Sequence, residues 1–297
     1  MSDVLFSVED TDHINDATRQ TLLQELESGK VIFFPNHPYP ASNYTDLLHH
    51  NVLHESCKNI SFDSHTQKII GTHRDNNYIH ARLQDLLRNY AIFALRIIED
   101  LFPHYLPYIQ VGKTHYRPAK IEGHITAQLH GNSRLHVDAV AATPVQGKRV
   151  LRIFSNINPH QKPRIWQVGE PFPEVVKKFA PLIPRYRYMK AQCLYWLHLT
   201  KTLRSPYDHA MLSIHDNMQL DEHYQTTMTK EELTFPPFTT WMAYTDQVSH
   251  AVISGQYLLE QKFYLPIEAM LLPKYAPLNV LQKNGLIPST TASEMRA

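Results

Sequence analysis

From Tyr108 onward the chain is a succession of short β-forming runs cut by turn signals, and no other feature restricts its fold so tightly. The runs are Ile125–Leu129, Leu135–Val137, Arg149–Phe154, Arg164–Val168, Thr239–Tyr244 and Gln256–Leu265. Between the fourth and fifth, residues from about Glu174 to His223 read as largely helical. Ahead of Tyr108 the helical period dominates. Residues Asp16–Glu27 place Leu22, Leu23 and Leu26 on one face and stop at Ser28-Gly29. A short buried strand, Val31–Phe34, is halted by Pro35. From Ile79 to Phe102 the positions Leu83, Leu86, Leu87, Tyr90, Ala94 and Ile98 recur at three and four, and Pro103 closes the helix.

Helices packed around short strands make an α+β class, compatible with a double-sheet jelly roll. The expected organisation is a single domain over residues 1–297. Residues 1–107 form a mostly helical N-terminal flank, 108–272 the jelly-roll core with a helical insertion, and 273–297 a polar, fraying tail.

Composition removes several function classes. Nine glycines stand against 20 prolines and no Gly-rich phosphate loop occurs, so nucleotide-binding motifs are missing. A formal net charge of +1 provides no field for nucleic acid. Cys57 and Cys193 lie far apart and do not resemble a disulfide framework. No apolar run reaches the ~18 residues of a membrane span, and the start, Met1-Ser-Asp-Val, lacks a signal-peptide pattern. The expectation is a reducing cytoplasm.

His136-Val-Asp138 sets two ligand-type side chains two residues apart, which on a strand puts both on one face. One His and one carboxylate leave a facial triad one ligand short. His250 is the candidate for the third: it follows the Thr239–Tyr244 run and a turn-like Thr245-Asp246-Gln247. Such a set leaves positions for a bidentate oxo-acid and dioxygen, whereas a structural zinc site would close its shell with four protein ligands. H-x-D alone is weak in a chain with 19 histidines. His209 and His215-Asp216 fall in helical segments, where surface or hydrogen-bonding roles are expected.

Longer phrases carry more weight. Arg134-Leu-His-Val-Asp-Ala139, Gly147-Lys-Arg-Val-Leu-Arg-Ile-Phe-Ser-Asn-Ile-Asn-Pro159, Arg164-Ile-Trp-Gln-Val-Gly-Glu-Pro-Phe172, His198 to His209 and Thr240 to His250 occur in order. With Gly255–Gln261 and Leu26–Pro35, they resemble the 3-deoxy-D-manno-oct-2-ulosonic acid (Kdo) 3-hydroxylases over roughly half the chain. The resemblance implies an Fe(II)- and 2-oxoglutarate-dependent dioxygenase with a double-stranded β-helix core. It implies that O2 and 2-oxoglutarate are consumed while C3 of a Kdo sugar in Kdo-lipid A is hydroxylated during lipopolysaccharide core biosynthesis. The expected place of work is the cytoplasmic side of the inner membrane, with peripheral membrane contact open.

Enzymes of this kind anchor the far carboxylate of 2-oxoglutarate with a basic side chain. After His250 the first cation is Lys262, and Arg149 and Arg152 lie on the strand after the H-x-D. Arg152 is preferred, because Leu151 and Ile153 beside it make burial costly unless it meets an anion. Arg149 points to the opposite face. Arg117, Arg134, Lys201 and Arg204 are candidates for substrate carboxylate and phosphate groups, against a default reading as solvated charges. Trp166 and Trp241 are read as core aromatics, and Asn156 and Asn158 as ligand-orienting or turn-satisfying groups. Three alternatives stay open: a related 2-oxoglutarate oxygenase with another substrate, a zinc-dependent hydrolase using the same ligands, and a non-catalytic sugar- or lipid-binding barrel.

Overall fold

The computed structural model describes residues 4–11, 14–73, 76–121 and 133–289, the side chain of His50 excepted. The expected run Ile125–Leu129 and the end of the tail lie outside the described residues. Strands are β1 (Leu5–Ser7), β2 (Val31–Phe34), β3 (Ile60–Asp63), β4 (Lys68–Ile70), β5 (Gln110–Arg117), β6 (Arg149–Asn156), β7 (Arg164–Val168), β8 (Glu231–Phe235), β9 (Thr239–Tyr244), β10 (His250–Ser254) and β11 (Leu258–Leu265). Helices are α1 (Asp16–Ser28), α2 (Asn77–Leu101), α3 (Phe172–Phe179), α4 (Tyr188–Trp196), α5 (Pro206–Leu220), α6 (Glu222–Thr227) and α7 (Pro277–Lys283).

The α+β class holds. Eight strands make one sheet in the order β1-β2-β9-β6-β11-β5-β3-β4, and three make a second, β10-β7-β8. Strand alternation divides the large sheet into two apolar faces. Leu151, Ile153, Met242, Tyr244, Phe263 and Leu265 pack against α1 and α2. Phe154, Trp241, Ala243 and Leu258 face Trp166, Val168, Leu233 and Val252 of the small sheet. The small sheet's outer side is closed by α3, α5 and α7. Each fully buried Leu, Ile or Phe in these layers contributes roughly 1.5–3 kcal/mol.

Local signals account for the helix ends. Asn15 accepts from Thr18 N–H at the start of α1, and Asn76 from Ile79 N–H at the start of α2. Gly29 caps α1 with φ of 105°, donating back to Leu26. A Cβ there would stand 2.8 Å from the Gln247 amide nitrogen, so glycine is required by both dihedral and contact.

Two expectations need correction. Besides the expected strand β2, the first 107 residues add β1, β3 and β4 to the large sheet. β3 and β4, of four and three residues, are too short to display a period; β3 is a strand because it pairs with β5, and β4 because it pairs with β3. Residues Leu135–Val137 are extended but form only a single bridge, His136 with His250.

The third correction concerns Arg149. It leaves β6 on the face opposite Arg152, as strand parity requires, but it is fully buried in a structural clamp. Its Nε donates to Asp246 Oδ2 at 2.8 Å and its Nη2 to Gln247 Oε1 at 2.6 Å, with the guanidinium 3.9 Å from the Tyr244 ring centre. It is therefore removed from the cosubstrate candidates. Arg149→Ala strands the Asp246 carboxylate in the core, and the expected loss is ~3–5 kcal/mol of stability. Urea unfolding measures it, and an unchanged midpoint would deny the clamp any structural weight.

Candidate active site

Residues 135–138 join the small sheet as an extra edge beside β10. His136 N–H donates to the His250 carbonyl at 3.0 Å, His250 N–H returns to His136 at 2.9 Å, and Asp138 N–H reaches the Thr245 carbonyl at 2.8 Å. Gln225 of α6 pins the same segment from outside, accepting from Leu135 N–H and donating to its carbonyl. This brings His136, Asp138 and His250 together, one ligand atom from each lying within 4.8 Å of the others.

Both rings are fixed by carbonyls. His136 Nδ1 lies 2.8 Å from the Arg134 oxygen and His250 Nδ1 2.9 Å from the Val248 oxygen. A carbonyl only accepts, so each Nδ1 carries the proton and each Nε2 keeps its lone pair for a metal. Burial pulls the His136 pKa down to about 3 and lowers that of His250 as well, so both rings are neutral at ordinary pH. Burial alone would raise the Asp138 carboxyl, yet Arg152, His250 and His136 together hold it below the usual carboxylate range. The indole of Trp166 stacks on His250 at 5.0 Å, so this tryptophan is a core aromatic and also a wall of the site. Trp241 is core alone, stacked on Phe235 at 4.0 Å.

The three residues open onto a cavity of about 300 Å³ between the sheets. Among the described residues its lining carries five cations, Lys58, Arg117, Arg152, Arg164 and Lys262, against the two carboxylates of Asp138 and Glu260. Arg152 bonds Asp138 Oδ2 at 2.5 Å and Glu260 Oε1 at 2.9 Å. Arg117 takes the other oxygen, Glu260 Oε2, at 2.9 Å. Lys262 sits opposite Arg152 across the β6–β11 pair, and burial pulls its pKa down to about 8. Arg164 differs from these: it is 2% exposed, and its Nε and Nη1 have no hydrogen-bond partner among the described residues. Burial, with Arg117 nearby, pulls its guanidinium down to about 9. Buried, unpaired donors of this kind carry a desolvation cost that an anionic ligand removes.

The other expected site residues scatter. Arg134 is not in the cavity lining: it pairs with Glu222 of α6, and its Nε and Nη2 have no hydrogen-bond partner among the described residues. Lys201 lies farther out, lining an outer groove with Lys113 and Lys148, whereas Arg204 donates to the Ala141 carbonyl and lines a pocket that also borders Asp138, Arg152 and Lys262. Asn156 donates to the Lys162 and Phe235 carbonyls and accepts from Asn158 N–H, which satisfies the turn. His209 bonds the Pro184 carbonyl. His215, from α5, bonds the Val137 carbonyl at 2.7 Å, yet its ring stands 5.2 Å from that of His136 and lines the cavity. Arg164, Glu260, His115 and His215 were missed as site residues. For Arg164, the signal available was a charged residue alternating with Trp166 and Val168 on one strand face.

A buried set of two histidines and one carboxylate with open positions defines the non-haem iron oxygenase class of centre. The chain matches the model of the 3-deoxy-D-manno-oct-2-ulosonic acid (Kdo) hydroxylase family over residues 9–285, and it belongs to that family. Among solved structures it is similar to the apo Kdo hydroxylase KdoO, a non-heme Fe(II) alphaketoglutarate-dependent dioxygenase, at 35% identity and TM-score 0.89, covering 94% of this chain and 95% of that one. It is similar to the same enzyme with alphaketoglutarate and Fe(III), at 34% and 0.89 over 95% and 96%, and with cobalt(II), at 34% and 0.91 over 97% and 99%. No protein among curated sequences matches.

The donor set fits a divalent first-row ion: two neutral imidazoles and an ionised carboxylate converge, and Asp138 Oδ2, though ion-paired, lacks a geometrically sound hydrogen bond. One Co(II) or Fe(II) per chain is expected on titration. Asp138→Ala and His250→Ala are each expected to weaken binding by at least about 100-fold, more than loss of an outer partner does. Elemental analysis and Co(II) absorption read this, and a variant retaining full affinity would leave the ligand set.

Proposed function

We propose that this protein hydroxylates C3 of a Kdo sugar carried on lipid A, using Fe(II), 2-oxoglutarate and O2. The observation that carries this reading is the His136/Asp138/His250 cluster at a cavity lined with buried arginines, in a chain of the Kdo hydroxylase family. The cation surplus favours an oxo-dicarboxylate over the activated water of a zinc hydrolase, because water does not neutralise buried guanidiniums. The iron complexes of the similar KdoO support the same choice.

The two sheets are read as a double-stranded β-helix. Supporting this, β5-β11-β6-β9 run side by side in the large sheet, and residues around His136 continue β10-β7-β8 in the small one. From β5 onward the chain therefore passes back and forth between the two sheets, except that β7 and β8 pair with each other within the small one, as in a jelly roll.

When bound, iron with 2-oxoglutarate and O2 supplies the oxidation that replaces a C3–H bond by C3–OH as the cosubstrate becomes succinate and CO2. The protein's part is placement. His136, Asp138 and His250 hold the metal, and Trp166 keeps the His250 ring from turning. Arg164 takes the far carboxylate of 2-oxoglutarate, since it alone of the cavity arginines has two unpartnered buried donors among the described residues. Arg152 orients Asp138, and Arg117 with Glu260 completes the anion-holding wall. Lys262 lies close enough to add charge without a bidentate fork. Outside, Lys113, Lys148 and Lys201 line a groove suited to the phosphates and carboxylate of a Kdo-bearing glycolipid. Such a substrate places the work at the cytoplasmic face of the inner membrane, with the protein touching the bilayer from one side.

The direct test is incubation with Fe(II), ascorbate, 2-oxoglutarate and Kdo-lipid A, followed by product mass. A gain of one oxygen that needs both iron and 2-oxoglutarate is expected, and succinate formation without any change in the glycolipid would reject the substrate. Arg164→Ala is expected to raise the 2-oxoglutarate KM by about 10- to 100-fold, the worth of a charge-assisted hydrogen bond. A normal KM in that variant, beside a raised one in Arg152→Ala, would transfer the anchor to Arg152.

A further inference from the structure

Helix α4 and the residues after it expose more apolar surface than a soluble helix needs. Seven of the 16 large apolar side chains that stand exposed among the described residues fall between Leu182 and Leu199. Met189 is 82% and Trp196 72% exposed, with Tyr188, Leu197 and Leu199 beside them. Of the nine residues of α4, Ala191 alone is buried. A concentrated apolar patch of this kind marks an interaction surface.

Charge selects the partner. Between Glu174 and Asp208 the sequence holds seven Lys and Arg and no Asp or Glu, in a chain whose total net charge is +1. Lys177 and Lys178 are paired with Glu174 and Glu170, whereas Arg185, Arg187 and Lys190 have no ion pair among the described residues. An exposed Trp, two tyrosines and leucines set among unpaired cations match the water–lipid interface of an anionic bilayer. The groove within the segment is lined by Arg185, Arg187, Lys190 and Arg204, a cationic cleft suited to a lipid phosphate, and the exposed aromatics flank it.

Position ties the patch to the cavity. Immediately after it, Lys201 N–H donates to the Ala142 carbonyl and Arg204 to the Ala141 carbonyl. Ala139, Val140 and Thr143 of that same loop line the cavity and its outer groove. We infer that residues 182–199 form a peripheral membrane-docking surface for anionic phospholipid, which sets the cavity mouth against the bilayer. The inference deepens the proposed action on a glycolipid and rests on it only for its purpose, because docking is measurable without substrate.

The test is sedimentation of the full chain with vesicles of phosphatidylethanolamine, with and without phosphatidylglycerol, at low and high salt. Trp166 and Trp241 are buried, so an emission shift on adding vesicles reports Trp196. The expected result is binding to the anionic vesicles, weakened by salt, with a blue shift. Trp196→Ser/Leu197→Ser and Arg185→Glu/Lys190→Glu should each lower partitioning at least about tenfold. Both should keep the melting temperature and the metal stoichiometry. Wild-type protein left in the supernatant, or equal binding by the variants, overturns the inference. So does a wild-type dimer that Trp196→Ser/Leu197→Ser dissolves, which would make the patch an interface between copies. Failure of the glycolipid reading shows separately, as absent oxygen transfer in detergent while vesicle binding persists.

Discussion

Two backbone hydrogen bonds between His136 and His250 set the geometry on which the site depends. They align residues far apart in the chain at one register, so that both imidazoles leave adjacent strands on the same side of the small sheet. Each ring then meets a carbonyl two residues back along its own chain, which fixes the tautomer with no further side chain. A slip by one residue would turn Asp138 outward and Val137 inward, since the side-chain period of extended backbone is two. Gln225 on α6 and the Leu135/Val137 contacts with the helical layer hold that register from outside.

The cavity is an example of charge placed where burial should forbid it. Strand parity sends Arg149 and Arg152 of the same strand to opposite faces, and each is stabilised differently. Arg149 meets Asp246, Gln247 and the Tyr244 ring, a closed arrangement that serves stability. Arg152 shares Glu260 with Arg117 and also touches Asp138, an arrangement with two charges of each sign that stays open to the cavity. Arg164 is the extreme case, with buried donors that nothing among the described residues satisfies. A fold tolerates such a group only if stability elsewhere offsets it, and the apolar layers behind β6, β9 and β11 supply that margin.

The outer surface continues the same electrostatic logic. Cations run from the buried wall through Lys262 to Lys113, Lys148 and Lys201 in the groove, then to the unpaired residues around α4. A substrate with a polar anionic head and an apolar anchor would meet matched chemistry at each stage. The hydrogen bonds from Lys201 and Arg204 to the cavity loop make these surfaces one continuous unit.

Much of this was legible in the chain itself. The long amphipathic helix, the Val31–Phe34 strand and the β6, β7 and β9 runs carry periodicity strong enough to be read without their partners. The H-x-D pair and the ordered family phrases pointed to the metal-binding cluster and its chemistry. What stayed hidden were features made by long-range pairing. β3 becomes a strand only beside β5 and β4 only beside β3, and Glu260 becomes an anion between two guanidiniums only when β5, β6 and β11 are neighbours. Arg149 and Arg152 look alike in sequence, as do Arg117 and Arg134, because a guanidinium's role is set by what lies across from it. Sequence alone determined which residues are capable of binding metal and anions, through their side-chain chemistry and local period. Tertiary structure decided which of them share a buried space, because only packing removes water and lets one charge feel another.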